Sequence, residues 1–214
     1  MPSTNSATEI ANLALDIIKT ENINDIEIPA DDKIAGTCSR WYDDVRQSCL
    51  EGFPWIFASK RDSIPLNATA PEFGFTDAYS LPTDYLSLNF IMYQWLPLSQ
   101  WNYVIEQRDI FIDNGGAVDL DIGYTFDQTD VTKYSPSFKL FLAFALAEKV
   151  VYKLTGNAGL ATRIAGLKKI EEVNARAKNG KSNPPIAFRR SKMLAGRRLY
   201  SGGVSAMGET YGRN

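Results

Sequence analysis

The chain has 214 residues, which is enough for one sizeable hydrophobic core and too few for two full catalytic domains. With 44% hydrophobic and 22% charged residues, the composition excludes global disorder and a membrane-embedded body. Histidine is absent, so the commonest general base and metal ligand is missing and most hydrolase mechanisms are hard to build.

The net charge of −2 is spread unevenly along the chain. Residues 1–175 carry 14 Lys and Arg against 24 Asp and Glu, whereas residues 176–214 carry nine against one. An acidic body therefore precedes a basic tail. Such a tail is expected to contact nucleic acid or an acidic protein surface, with a merely solvated end as the alternative.

Two amphipathic helices are predicted in the first 50 residues. The first covers Thr8 to Thr20, and no secretory signal precedes it, so we expect synthesis in a reducing cytoplasm. The second begins near Asp31 and Asp32, whose carboxylates suit a helix start. Its polar face is expected to meet solvent or a neighbouring subunit through Arg40, Asp43, Asp44 and Arg46. Its predicted apolar face is Ala35, Cys38, Trp41 with Tyr42, Val45 and Cys49. The two cysteines would lie about 16 Å apart along this helix, too far to bond, and are expected to be small buried hydrophobes.

Short aromatic and β-branched runs from Gly52 to about Phe126 predict a β-rich insert. Alternation of apolar and polar residues over 118–125 predicts a strand with one wet face. The run Asp109 to Asp113, with the turn Asn114-Gly115-Gly116, is expected to pair with that strand as a hairpin.

Two further helices are predicted after the insert. Ser135 and Pro136 suit the start of a third helix, apolar nearly all round and therefore a buried core helix, which Gly156 ends. The fourth is predicted to run to about Lys178, and the glycines and prolines after Gly180 predict an extended arm. The fourth helix is expected to turn Leu160, Ile164, Leu167, Ile170 and Val173 or Asn174 inward, and Arg163, Lys168, Lys169, Glu171 and Glu172 outward.

Candidate chemistry is sparse. A metal or acid–base role is disfavoured for the carboxylates of the insert because Asp119 and Asp121 lie on the wet face of their strand and no EF-hand spacing is present. The four tryptophans fit core packing for at least half of them, with a carbohydrate or interface role as the alternative. The basic tail suits phosphate and base contacts or a peptide arm in a protein groove equally well, through Phe188, Arg189, Arg190, Lys192, Arg197, Arg198 and Tyr200.

Five short motifs occur in an order that resembles one known family. They are Ala11-Asn-Leu-Ala-Leu, Trp41-Tyr-Asp-Asp-Val-Arg-Gln47, Phe53-Pro-Trp-Ile-Phe-Ala-Ser-Lys-Arg61, Tyr79-Ser-Leu-Pro-Thr-Asp-Tyr-Leu86, and Phe141-Leu-Ala-Phe-Ala-Leu-Ala147 with Leu154-Thr155. Together they resemble the tubular tail protein A family of podovirus-like phages, the head-to-tail adaptor also called the upper tail or gatekeeper ring protein. The resemblance covers roughly Thr8 to Lys178 and leaves the tail beyond Gly180 unmatched.

The resemblance and the residue patterns together give an α+β fold: a four-helix bundle with an inserted β-rich domain and an extended C-terminal arm. The expected divisions are residues 1–50 and 134–179 for the two helix pairs, 51–133 for the insert and 180–214 for the basic arm.

What the resemblance implies about function is structural. The chain is expected to form a ring of twelve copies around the DNA channel of a virion, between the portal and the tail nozzle or tube. The genome would pass through the lumen without specific binding, since like charges disfavour contact with an acidic body. No enzyme activity, cofactor, metal or membrane is expected.

Two contact sites are predicted for that role. The basic arm, Phe188 to Tyr200, is expected to dock on the portal or a neighbouring subunit. The tail-side contact is expected at the tips of the insert, around Phe73, Asn114, Gly115 and Gly116. The alternatives are a nucleic-acid-binding virion protein acting through the basic arm and a tail-associated polysaccharide hydrolase.

Overall fold

A computed structural model describes residues 6–28, 33–69, 71–93, 96–97, 103–113, 115 and 119–182, without the side chains of residues 93, 96, 97 and 182. The helices are α1 (Ala7–Ile18), α2 (Lys33–Glu51), α3 (Pro136–Thr155) and α4 (Ala158–Ser182). The strands are β1 (Ser59–Pro65), β2 (Asp77–Ser80), β3 (Tyr85–Tyr93), β4 (Leu96–Pro97), β5 (Tyr103–Glu106), β6 (Asp109–Ile112) and β7 (Asp119–Phe126). In the described part, no helix is long and apolar enough to cross a membrane.

Local capping explains where α1 and α3 begin and end. Ser6 and Glu9 form a capping box at the start of α1, each satisfying a backbone N–H of the other. The hydroxyl of Ser135 accepts from the Phe138 N–H, Pro136 occupies the first turn, and Gly156 ends α3 in a left-handed conformation (φ 64°). The predicted limits of α3 are therefore confirmed.

The prediction of a four-helix bundle is wrong, although the α+β class holds. The central helix is α3, which packs against α1, α2 and α4, while those three hardly touch one another. In a bundle each helix would instead pack against two neighbours around a shared core. Ten of the 20 residues of α3 are buried, as its apolar sequence predicts, and its central position explains that burial, although Leu140 and Tyr152 are exposed.

The β strands form two antiparallel sheets with the orders β1-β7-β3-β4 and β2-β6-β5. The predicted hairpin between Asp109–Asp113 and the strand after the Asn114-Gly115-Gly116 turn is wrong, because β6 and β7 lie in different sheets. The real hairpin joins β5 to β6 through a two-residue turn in which Gln107 has a φ of 55°. The segment after β6 instead carries the chain from one sheet to the other.

Two separate hydrophobic clusters hold the fold together. One joins the four helices and includes Trp55 and Tyr134 from the connections to the strands. The other lies between the sheets, where Tyr79 and Ile110 of one sheet meet Ile91, Ile122 and Tyr124 of the other.

The helix α4 is longer than predicted. It reaches Ser182, so residues 180–182 belong to a helix and the predicted arm cannot begin at Gly180. The rest of the predicted arm, from residue 183, lies outside the described residues. The other predicted divisions of the chain stay predictions.

Candidate interaction surfaces

The Trp41 to Gln47 motif fastens α2 to the segment that follows β7. Arg46 donates to both carboxylate oxygens of Asp127 and, at 3.1 Å, to the carbonyl of Gln128. Asp43 forms an ion pair with the same guanidinium at 3.2 Å, and the amide of Gln47 donates to Asp127 at 2.9 Å. Only 4% of Arg46 is exposed, so the prediction that it faces outward is wrong. Its hydrogen-bond partners make burial of the charge tolerable.

The surroundings of Arg46 keep it charged. Burial lowers its pKa, but the hydrogen bond and negative charge of Asp127 outweigh burial, and the net pKa is raised. Beside it, the Tyr134 hydroxyl donates to the carbonyl of Gln128 at 2.6 Å, and burial raises the pKa of Tyr134 to about 12. Together, Arg46, Asp127, Gln128 and Tyr134 connect the helices to the sheets, and we call this set of residues the Arg46 joint.

The Phe53-Pro-Trp motif is also structural. Trp55 is fully buried, its ring centre lies 4.9 Å from that of Phe138 and 5.1 Å from that of Phe53, and its indole N–H donates to the Cys49 carbonyl at 2.9 Å. Core packing is thus confirmed for Trp55. Trp41 is 36% exposed, and Trp95 and Trp101 lie outside the described residues.

A groove of about 320 Å³ lies between α2, α3 and α4. Four of the charged side chains that line it form ion pairs: Lys168 with Glu148 at 2.8 Å, and Arg176 with Glu172 at 2.5 Å. At its floor, burial raises the pKa of the Cys49 thiol to about 12. The thiol is therefore protonated near neutral pH and is a poor nucleophile. Both Cys38 and Cys49 are buried and unbonded to each other, as predicted.

No metal-binding constellation is found among the described residues: no three acidic or cysteine side chains there are placed to share an ion. The carboxylates of the insert have other contacts. Asp109 accepts from the Ser80 hydroxyl at 2.7 Å, and Asp113 accepts from the Thr76 N–H at 2.9 Å. These acids hold turns and strand ends in place.

The two predicted tail-side positions lie at the same end of the sheets. Phe73 is in the connection from β1 to β2, and Gly115 is in the connection from β6 to β7. The bond from Thr76 to Asp113 ties these connections together. Phe73 is 88% exposed, more than any other large apolar side chain described. Asn114 and Gly116 lie outside the described residues.

The opposite end of the sheets meets the helices. At the end of the sheets where the two connections lie, Pro65 of β1 pairs with Asp119 of β7. At the other end of the same two strands, Ser59 pairs with Thr125, close to the Arg46 joint. The seven residues of β1 span about 20 Å. We call the exposed part of the two connections, Phe73 with Gly115, the sheet tip.

The predicted inward face of α4 is confirmed only in part: Ile164 is buried and Leu160 half-buried, but the rest of that face is exposed. Leu167, Ile170 and Val173 are 36%, 56% and 66% exposed. Lys168 and Glu172, predicted to face outward, are instead partly buried against the rest of the chain. At 100° per residue, the exposed side runs from Arg163 through these aliphatic residues to Lys181. We call this face, Arg163 to Lys181 with its three aliphatic side chains, the α4 stripe.

The inward side of α4 is lined by small residues and long charged ones. Ala175 is 1% exposed, and Ala161 and Ala165 are half-buried beside the fully buried Ile164. These alanines let α4 approach α3 closely, and that spacing of small residues was the available sequence signal for the inward face.

The basic residues predicted to bind the portal or a neighbour, Phe188 to Tyr200, lie outside the described residues. No family model matches the sequence, and a search of curated proteins finds no match.

Proposed function

We propose that this chain is a structural head-to-tail adaptor of a tailed bacteriophage, which forms a ring between the portal and the tail nozzle or tube. The α4 stripe is the observation that carries the proposal. Three large aliphatic side chains in a row are left exposed on a long helix, on the side away from its own core. An apolar helix face of this kind is typical of a surface that another protein covers.

The stripe is large enough to contribute to assembly. Full burial of a Leu, Ile or Val side chain contributes about 1.5–3 kcal/mol, and roughly half of each of these three is still exposed. Covering them would contribute about 3 kcal/mol per copy. Many weak contacts of this size close a ring when each copy makes two of them.

The sheet tip supports an adaptor in particular. It presents the exposed Phe73 about 20 Å along the strands from the joint with the helices. An adaptor must bind different partners at different ends, and this chain offers surfaces on the helices and at the far end of the sheets. In the proposed arrangement, the sheet tip contacts the tail side.

Charge distribution fits the remaining contacts. An excess of ten acidic residues in residues 1–175 would let duplex DNA pass through the ring without adhering. The basic residues after α4 would dock on the portal or on a neighbouring copy, and no cofactor, metal or membrane takes part. The number of copies, twelve, and the location in the virion neck rest on the motif resemblance.

Negative-stain imaging of the purified chain, with and without portal particles of its phage, tests the proposal. We expect rings, or portal particles that gain a collar. The variant Ile170→Asp should abolish ring formation, whereas Leu140→Asp, on the 39% exposed Leu140 of α3, should not. Removing residues 183–214 should weaken attachment to the portal. A wild-type chain that stays monomeric and ignores the portal would overturn the proposal.

A second candidate function rests on the basic tail alone. With nine Lys and Arg against one Glu, residues 176–214 suit a nucleic-acid-binding virion protein. That function requires affinity for DNA or RNA that falls steeply with salt and disappears when residues 183–214 are removed. Fluorescence anisotropy with a labelled duplex at low and high salt distinguishes it from the adaptor.

A further inference from the structure

We propose that the α4 stripe of one copy docks on the acidic segment of the next copy, which we define as residues 16–28 at the end of α1 and after it. This inference rests on the proposed function, because it names the second surface of the ring contact. A ring closes through heterologous contacts, in which each copy presents two different, complementary surfaces. The stripe is one of them, and the other must be found elsewhere on the same chain.

The stripe is cationic as well as apolar. Helix α4 carries six Lys and Arg against two Glu, and both glutamates are half-buried. Arg163, Lys178 and Lys181 are exposed along or beside the aliphatic residues. Its complement should therefore be acidic, with an apolar side chain to cover the aliphatic centre.

The acidic segment has both properties. Residues 6–28 carry five acidic side chains against one lysine, and Asp16, Glu21 and Glu27 of the segment are exposed. Ile28, at its end, is 71% exposed. Helix α2, the other candidate on the helical part, has three acidic and three basic residues and so offers no net charge to attract the stripe.

The position of the segment in the fold also fits. Helices α1 and α4 both pack on α3 and hardly touch each other, so their outer surfaces are separate parts of the same helical body. The sheets are also acidic, but they extend away from the helices toward the sheet tip. In a ring whose sheet tips all point the same way, helices face helices, and the neighbour meets α4 with its acidic segment.

Charge reversal tests this pairing. One variant carries Arg163→Glu, Lys178→Glu and Lys181→Glu, and a second carries Asp16→Lys, Glu21→Lys and Glu27→Lys. All six positions are exposed, so both variants should keep the wild-type circular dichroism spectrum and thermal midpoint. A matched control carries Asp62→Lys, Asp119→Lys and Asp121→Lys on exposed positions of the sheets.

Sedimentation velocity measures self-association, alone and in the presence of portal particles. Each helical variant should weaken association by about a hundredfold, because like charges then face each other across the contact. An equal mixture of the two variants should recover wild-type association, since each reversed surface meets a complementary one on its neighbour. The sheet control should associate like wild type.

Two outcomes separate the two proposals. The pairing is overturned, and the adaptor proposal stands, if wild type forms rings and the variant with the reversed acidic segment forms them equally well. The same holds if wild type forms rings and the mixture of the two variants does not recover wild-type association. If wild type remains monomeric alone and on portal particles, the adaptor and the pairing are both overturned.

Discussion

Removing either partner of the Arg46–Asp127 pair should destabilise the chain more than any surface charge change. The Arg46 side chain is 5% exposed and donates to Asp127 and to the Gln128 carbonyl, so Asp127→Ala leaves a buried cation without its main partner. Breaking a buried ion pair in this way costs about 3–5 kcal/mol. For a chain of this length, that loss corresponds to a fall of roughly 10 °C in thermal midpoint.

Urea unfolding followed by circular dichroism measures the loss, and the exposed pair Lys60–Asp84 is the matched control. Its side chains are 47% and 34% exposed, so Lys60→Ala should cost less than about 1 kcal/mol. The double variant Arg46→Met with Asp127→Leu should be less destabilised than the two single changes together, by up to about 3 kcal/mol. Equal losses of unfolding free energy for Asp127→Ala and Lys60→Ala would show that Arg46 and Asp127 do not act as a buried, coupled pair.

Two further predictions concern packing and pH. A Cβ atom on Gly123 would lie 2.3 Å from the Phe90 ring, so Gly123→Ala should lower the free energy of unfolding in urea by about 1–3 kcal/mol. In a Phe90→Ala background the same change should cost much less. An equal cost in both backgrounds would contradict a clash with the ring. The pKa values of Tyr134 and Cys49, raised from 10.0 and 9.0 to about 12 by burial, give stability that is complete below pH 9 and lost as pH rises toward 12. The free energy of unfolding should fall as the pH rises from 9 to 12. In Cys49→Ala it should fall less steeply than in wild type near pH 9. A free energy that does not change with pH would show that Tyr134 and Cys49 are accessible to solvent in the folded chain.

The features predicted well from the sequence are those with local causes. Ser135, Pro136 and Gly156 each act within a turn of their own position, and the predicted bounds of α3 hold. The strand predicted before Phe126 exists as β7, and its first half alternates because one buried and one wet face impose a period of two. Gly123 and Thr125, predicted on the wet face, are instead buried.

The features predicted badly depend on partners far away in the chain. The sequence Asn114-Gly115-Gly116 predicts a turn, but it does not determine whether the next strand joins the same sheet as β6 or the other one. The aliphatic residues of α4 mark a face that avoids water, yet their spacing is the same whether the covering surface belongs to this chain or to another. The charge of Arg46 predicts a position facing solvent or a neighbouring subunit, whereas its actual partner, Asp127, lies 81 positions away in the chain.

The central position of α3 sets an order for folding during synthesis. All strands of the described residues are complete at Phe126, before any residue of α3 has been made, so the two sheets can assemble first. Helices α1 and α2 must wait through the 84 residues between Glu51 and Pro136, roughly 4–17 s of translation, before the helix that covers their apolar faces exists. During that interval the nascent chain exposes Ile10, Leu15 and Leu50, and it is then that a chaperone has the most surface to bind.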